Sequence, residues 1–329
     1  MRSKQYSLED YVTGISAGDR VMLGRAITLV ESAKTEHTAL AEQVLAALPK
    51  PTNTLRIAIT GAPGVGKSTF IEAFGMWLIQ QGEKVAVLAI DPSSAVSGGS
   101  ILGDKTRMEQ LSVSEHAFIR PSPAGDSLGG VARKTREAIL LTEAAGYRII
   151  LVETVGVGQS EIAARRMCDL FMLLLLPGAG DELQGIKRGI VEMADLLVVN
   201  KADGERKKLA AMAQAHYINA THLLPSNSSG WSAKVLTASA LEREGFAEIW
   251  AQIMAYQQST INNGFWPENR RNQAHYWLHE TLMDGIKTAF YNHPDIQAML
   301  PEVEEAVLSG KISPFAAARK LLEHLNFRE

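Results

Sequence analysis

The chain contains one cysteine, Cys168, in 329 residues, which excludes a disulfide framework and any Cys-x-x-Cys metal or redox site. With Met167 and Leu170 beside it, Cys168 reads as a small buried hydrophobe. Long apolar runs are absent too. The longest, Leu170 to Leu176, is far too short to cross a bilayer as a helix, so no membrane role is expected. The first ten residues carry no apolar stretch of the signal-peptide kind and include the acidic Glu9 and Asp10, which a transit peptide avoids. The expected location is the cytoplasm. Charge of one sign is also missing. A net charge of −3 gives no electrostatic case for nucleic acid or an anionic membrane as the main partner. With 46% hydrophobic and 21% charged residues, the composition is that of an ordinary globular protein. Its length allows one large α/β domain with an appendage, or two modest domains.

What is present is an alternation. Residues 5–47 read as helices, with Leu23, Ile27, Val30, Leu40, Val44 and Leu48 at helical spacing. Lys50-Pro-Thr-Asn-Thr54 punctuates. Short apolar runs at 55–60, 84–90, 148–153, 170–176, 195–200 and 234–238 then alternate with helical stretches at 67–81, 127–145, 183–193 and 205–221. That order predicts an α/β fold whose mainly parallel sheet is covered by helices on both faces. After Asn262-Asn-Gly-Phe-Trp-Pro267 no strand-like run follows. Ala274, Leu278, Leu282, Ile286 and Phe290 recur every four residues, which predicts an amphipathic helix over 271–290, and Pro294 and Pro314 mark later helix boundaries. The expected organisation is a helical segment 1–50, an α/β domain 51–258 and a helical C-terminal arm 259–329.

Gly61-Ala62-Pro63-Gly64-Val65-Gly66-Lys67-Ser68, followed by Thr69, is a complete G-x-x-x-x-G-K-[ST] phosphate loop. The strand before it and the set Phe70, Ile71, Phe74, Leu78 after it supply the context that such a loop requires. Its glycines let the backbone wrap phosphate oxygens, and the N–H groups at the helix start point at them. Lys67 reaches the β and γ phosphates, and Ser68 offers a hydroxyl to Mg²⁺. Asn200-Lys201-Ala202-Asp203, after the apolar run Asp195-Leu-Leu-Val-Val199, turns this phosphate site into a guanine one. The Asp203 carboxylate can accept from both the ring N–H and the exocyclic amine of guanine, a donor pair that adenine lacks. Asn200 ties this loop to the phosphate-loop backbone, and the Lys201 stem lies over the base.

Ile149 to Glu153 is an apolar strand ending in an acid, as a Walker B strand does. Glu153 would hold Mg²⁺ through its water shell, and the Gly156 N–H would contact the γ phosphate. Lys84 to Asp91 is a second strand ending in an acid, and a Gly-rich loop, 98–107, follows it. Asp91 reads equally well as a metal- or water-facing group and as part of an Asp-Pro turn. Ser239-Ala240-Leu241, after the last strand, is positioned to offer a backbone N–H to the guanine carbonyl. His275 and His279 have the spacing of two zinc ligands. Tyr276 stands where a zinc protease needs Glu, however, and no third ligand is near, so they read as surface or packing histidines. Arg133, Lys134 and Arg136, and Arg206 to Lys208, read as solvated helix faces.

On these residues the chain resembles the methylmalonyl-CoA mutase-associated GTPases of the MeaB/ArgK type, which share a broad class with the signal-recognition-particle and nickel-insertion GTPases. The resemblance is densest in 61–69, 91–94, 98–108, Glu153-Thr-Val-Gly-Val-Gly-Gln159-Ser160 and 180–187. It implies a homodimeric GTPase that escorts adenosylcobalamin-dependent acyl-CoA mutases, gating cofactor loading and protecting or reactivating the mutase. By the same similarity Asp91, Asp104 and Glu153 would surround Mg²⁺ and the attacking water. The loop 178–188 would report nucleotide state, with Gln159, Gln184 and Lys187 as switch or partner residues, and the C-terminal helices would form a dimerisation arm. Two other functions compete. Metal insertion normally needs Cys or His metal ligands, and one cysteine with scattered histidines argues against it. A P-loop small-molecule kinase needs an acceptor pocket and an Arg-rich lid rather than an N-K-x-D loop.

Overall fold

The computed structural model describes residues 6–32, 34–90, 108–121, 128–154, 159–178, 188–222 and 227–324. Among the described residues seven strands form one sheet: β1 Leu55–Gly61, β2 Val85–Ile90, β3 Ala117–Arg120, β4 Ile149–Thr154, β5 Leu170–Leu175, β6 Leu196–Val199 and β7 Lys234–Thr237. Every pairing is parallel, in the order β3-β2-β4-β1-β5-β6-β7. β1, β5 and β6 are buried along their whole length, which is why they read as unbroken apolar runs rather than as an alternation. The predicted strands all appear, within a residue or two at their ends. β3 was not predicted, because its four residues against Pro121 are too short for a periodic signal.

Thirteen helices occur among the described residues. The N-terminal set is α1 Leu8–Ser16, α2 Arg20–Glu31 and α3 Thr35–Ala47. Ser7 and Asp10 cap α1 reciprocally, and the Asp19 carboxylate accepts from the first N–H groups of α2. The helices among the strands are α4 Lys67–Gln80, α5 Glu109–Val113, α6 Leu128–Ala144, α7 Gln159–Arg165, α8 Arg188–Met193, α9 Arg206–His222 and α10 Phe246–Asn262. Alternation along β1 turns Leu55, Ile57 and Ile59 to one face, into a core with Phe70 and Phe74 of α4 and Phe246, Ile249 and Ile253 of α10. Phe70 and Phe74 both lie within 5.7 Å of Phe246, ring centre to ring centre.

Three helices follow: α11 Phe265–Tyr291, α12 Pro294–Leu308 and α13 Pro314–His324. α11 starts six residues before the predicted helix, with Trp266 and Pro267 in its first turn. Proline is tolerated there because the first N–H groups of a helix have no internal acceptor. The described residues divide into two compact units, 1–273 and 274–329. The division expected at 258/259 falls inside α10 instead. The reason is that Trp266 belongs to the sheet core and Arg270 and Gln273 bond to the chain before β5. The second unit has a small core of its own from Ile296, Val303, Ala317 and Leu321.

That contact before β5 is polar and buried. Asp169, 1% exposed, accepts two hydrogen bonds from Arg270, Nε at 2.9 Å and Nη2 at 2.7 Å, and one from the Arg56 N–H at 2.9 Å. Arg270 Nη2 also donates to the Thr54 carbonyl at 2.7 Å, and Gln273 Nε2 to the Cys168 carbonyl at 2.7 Å. Arg56 makes a bidentate pair with Glu143, both bonds 2.7 Å. Arg136 is not on a solvated face. Burial, and then the neighbouring Arg56 charge, pull its guanidinium down to about 10. Cys168 is fully buried, and burial pushes its thiol well above the ordinary range, so it is unreactive as a nucleophile.

Candidate nucleotide-binding site

The sheet order determines which loops meet. β1 lies between β4 and β5, with Ile59 opposite Glu153 and Gly61 opposite Leu174. The turn leaving β1 therefore emerges beside the acid that ends β4. At Gly61 a side chain is impossible, since a Cβ would lie 2.6 Å from the Leu174 carbonyl oxygen. Gly66, at φ 90°, caps α4 in the left-handed region, and a Cβ there would press on Asn200 Nδ2 at 3.1 Å. The amides at the start of α4 thus face the loop interior, where an anion is favoured.

Lys67 folds back over this loop. Its Nζ donates to the Gly61 carbonyl at 2.8 Å and to the Ala62 carbonyl at 3.3 Å. Burial lowers its pKa below that of an ordinary lysine, and the Glu153 and Glu161 charges oppose the shift. Ser68 Oγ donates to Glu153 Oε1 at 3.0 Å. A hydroxyl and a carboxylate converging without nitrogen or sulfur is a hard-oxygen donor set, which suits Mg²⁺ and not a soft transition ion. Glu161, on the first turn of α7 and 1% exposed, is a carboxylate of this site that no motif identifies. It lies one residue beyond the Glu153–Ser160 string.

The guanine motif is bonded directly to the phosphate loop. Asn200 Nδ2 donates to the Val65 carbonyl at 2.9 Å, and Lys201 Nζ to the Gly64 carbonyl at 2.7 Å. Lys201 has φ 58°, a left-handed conformation that is uncommon outside glycine and costs about 1–3 kcal/mol when held in place. β5 separates β1 from β6, so only the tertiary fold brings these two motifs together. Asp203 is buried, and Ser239 Oγ donates to its Oδ2 at 3.1 Å.

Ser239 N–H donates to the Glu244 carbonyl at 3.1 Å, so within this turn the serine acts on Asp203 through its hydroxyl. Arg206, Lys207 and Lys208 are exposed, as a solvated helix face should be, and two of them carry surface ion pairs. Arg206 Nη2 pairs with Asp203 Oδ1 at 2.9 Å, and Lys207 with Glu242 and Glu244 at 2.9 and 3.0 Å. Gly61 to Thr69, Glu153, Asn200, Lys201, Asp203 and Ser239 to Leu241 all lie among the described residues. Asp91, Asp104, Gly156, Gln184 and Lys187 lie outside them, and Gln159 is described only by its place at the start of α7.

Comparison with known proteins bears on the same residues. The family model described as methylmalonyl Co-A mutase-associated GTPase MeaB matches residues 23–295. A putative GTPase of Caulobacter vibrioides is 52% identical over 307 residues, covering 93% of this chain and 94% of that one. The GTPase ArgK of Escherichia coli is 45% identical over 320 residues, 97% of either chain. The solved structure of a LAO/AO transport system kinase matches with a TM-score of 0.75 and 38% identity, over 99% of both chains.

Proposed function

The chain belongs to the methylmalonyl-CoA mutase-associated GTPase family and is a GTPase, and on that premise we propose that it serves an adenosylcobalamin-dependent acyl-CoA mutase. In this reading GTP hydrolysis gates cofactor loading and protects or reactivates the mutase. The observation that carries it is the family match over residues 23–295, which extends well beyond the nucleotide motifs. No helix among the described residues is long and apolar enough to cross a membrane, which is consistent with a cytoplasmic partner.

At the site, the amides opening α4 cradle the phosphates, and Lys67 exchanges the Gly61 and Ala62 carbonyls for the β and γ phosphate oxygens. Ser68, Glu153, Asp91 and Asp104 would hold Mg²⁺, which would supply positive charge against the phosphates. Asp203, held by Ser239 and Arg206, accepts from the two guanine N–H donors. The Ala240 or Leu241 amide faces the guanine carbonyl. Asp203→Asn removes the charge-assisted bonds, at about 1.5–3 kcal/mol, or roughly 10- to 150-fold in GTP affinity. It should favour xanthine, whose C2 carbonyl suits an amide donor. Titration with GTP, XTP and ATP checks this, and comparable wild-type hydrolysis of ATP and GTP would remove the base assignment. That result would favour the kinase reading, which otherwise rests on the name of one relative.

The coupling to the mutase is tested at loop 178–188. Gln184→Ala with Lys187→Ala should weaken mutase stimulation of GTP hydrolysis more than basal turnover, because a loop can report nucleotide state only by differential contact. Equal losses in both rates would make the loop a plain part of the active site. An absence of response to any such mutase would overturn the family role.

A second copy of the chain is the proposed partner of the exposed apolar stripe Leu278, Leu282 and Ile286 on α11. Leu282→Glu with Ile286→Glu should then sediment as a monomer that still hydrolyses GTP. A persistent dimer would move the interface elsewhere.

A further inference from the structure

We propose that His275 and His279 form a two-imidazole chelate for a divalent transition ion of the zinc, nickel or copper class, separate from the nucleotide site. Four residues apart on α11, both rings project from one helical face, and both side chains are exposed. Their Nε2 atoms lie 3.3 Å apart, with ring centroids at 4.5 Å. Two imidazole nitrogens at about 2.0–2.1 Å from one tetrahedral ion are separated by about 3.3–3.4 Å. The nitrogen spacing is that of a shared ion, while the ring centroids must part from 4.5 Å to about 5.2 Å for both lone pairs to face it, an adjustment open to two exposed side chains.

The donor type selects the ion. Imidazole nitrogen suits Zn²⁺, Ni²⁺ and Cu²⁺, whereas Mg²⁺ and Ca²⁺ take oxygen. Without the ion, one Nε2 carries the proton and donates to the other. With it, both rings hold their proton on Nδ1, and both Nε2 lone pairs face the ion. Among the described residues no group of three His, Cys, Asp or Glu side chains converges. The chelate therefore supplies two ligands and leaves the remaining positions to water or to a donor from another molecule. Closed structural zinc sites use four protein ligands; this one is open. Tyr276 stands where a hydrolytic zinc helix carries its glutamate, so the site binds and does not hydrolyse. An ion bridging one turn holds that turn helical, and binding to the folded helix alone raises its stability by mass action.

The test uses the full-length protein without an affinity tag, in millimolar Mg²⁺ to mask oxygen sites, titrated calorimetrically with Zn²⁺. One Zn²⁺ per chain is expected. His275→Ala and His279→Ala should each weaken it at least about tenfold, because losing a ligand costs no less than losing a group that merely orients one. Alanine is the best helix former and neither histidine belongs to the GTP site, so both variants should keep wild-type helicity and GTP turnover. Copper electron paramagnetic resonance should show two coupled nitrogens in the wild type and one in either variant. Zn²⁺ affinity within about twofold of wild type in either variant, or a copper spectrum unchanged by substitution, would overturn the assignment and leave a histidine–histidine hydrogen bond.

Discussion

Replacing Lys67 by alanine is expected to lower GTP turnover by about 10²–10³-fold, the effect of removing one donor aimed at charge that develops in a transition state, while leaving stability nearly unchanged. Lys67 contributes to charge and not to packing. Its Nζ rests on two loop carbonyls, at 2.8 and 3.3 Å, and makes no part of the aromatic core behind α4. Burial lowers its pKa and the neighbouring Glu153 and Glu161 oppose that, so the two carboxylates favour the charged ammonium that a phosphate requires. Pre-steady-state GTP hydrolysis and a urea unfolding curve on the same preparation separate the two effects. Near-native turnover in the variant would mean that the phosphate site is not where the loop lies. A large drop in unfolding midpoint would mean that Lys67 has a structural duty.

Asp169→Ala should have the opposite signature, a large loss of stability with turnover per folded molecule retained. The carboxylate is 1% exposed and accepts three hydrogen bonds, two from Arg270 and one from the Arg56 amide. Removing it leaves the Arg270 guanidinium, partly buried, without its counter-charge, and leaves a buried N–H without an acceptor. Breaking a buried pair from one side costs about 3–5 kcal/mol, a third or more of the stability of many domains. Asp169→Asn keeps an acceptor for the Arg56 amide and loses the charge, so its cost should fall between that of alanine and zero. Urea midpoints at constant m measure both variants. A loss below about 1 kcal/mol for Asp169→Ala would show that this network does not hold the start of α11.

The motif residues were legible because backbone geometry and ligand chemistry restrict them locally. Only glycine fits at 61 and 66, where a Cβ would strike the Leu174 carbonyl or crowd the Asn200 amide. A run such as Leu170–Leu175 can be so apolar only if both of its faces are covered. Helix starts at Pro294 and Pro314 follow from what proline permits. β3 was not legible, because four residues cannot establish a period. The true start of α11 was obscured by Trp266-Pro267, which reads as a break until the first turn is seen to need no N–H there.

Other residues act through partners that are distant in the chain. Arg136 looks like one of a basic trio and lies against Arg56. Asp169 finds Arg270 across 101 residues. Such pairings carry no local pattern, because a charged residue has the same helical propensity whether its partner is water or a buried counter-charge.

The chain alone determined the α/β class, the phosphate loop, the guanine motif and the family, since each is written in short segments whose spacing the chemistry prescribes. Only the tertiary structure decided that β1 lies between β4 and β5. That order sets Glu153 beside Ser68 and bonds Asn200 and Lys201 to the phosphate loop. The same structure assigned Arg270 and Gln273 to the first unit and set the two imidazoles of α11 at 3.3 Å. Strand order and long-range ion pairs depend on how separate segments pack, and no one segment contains that information.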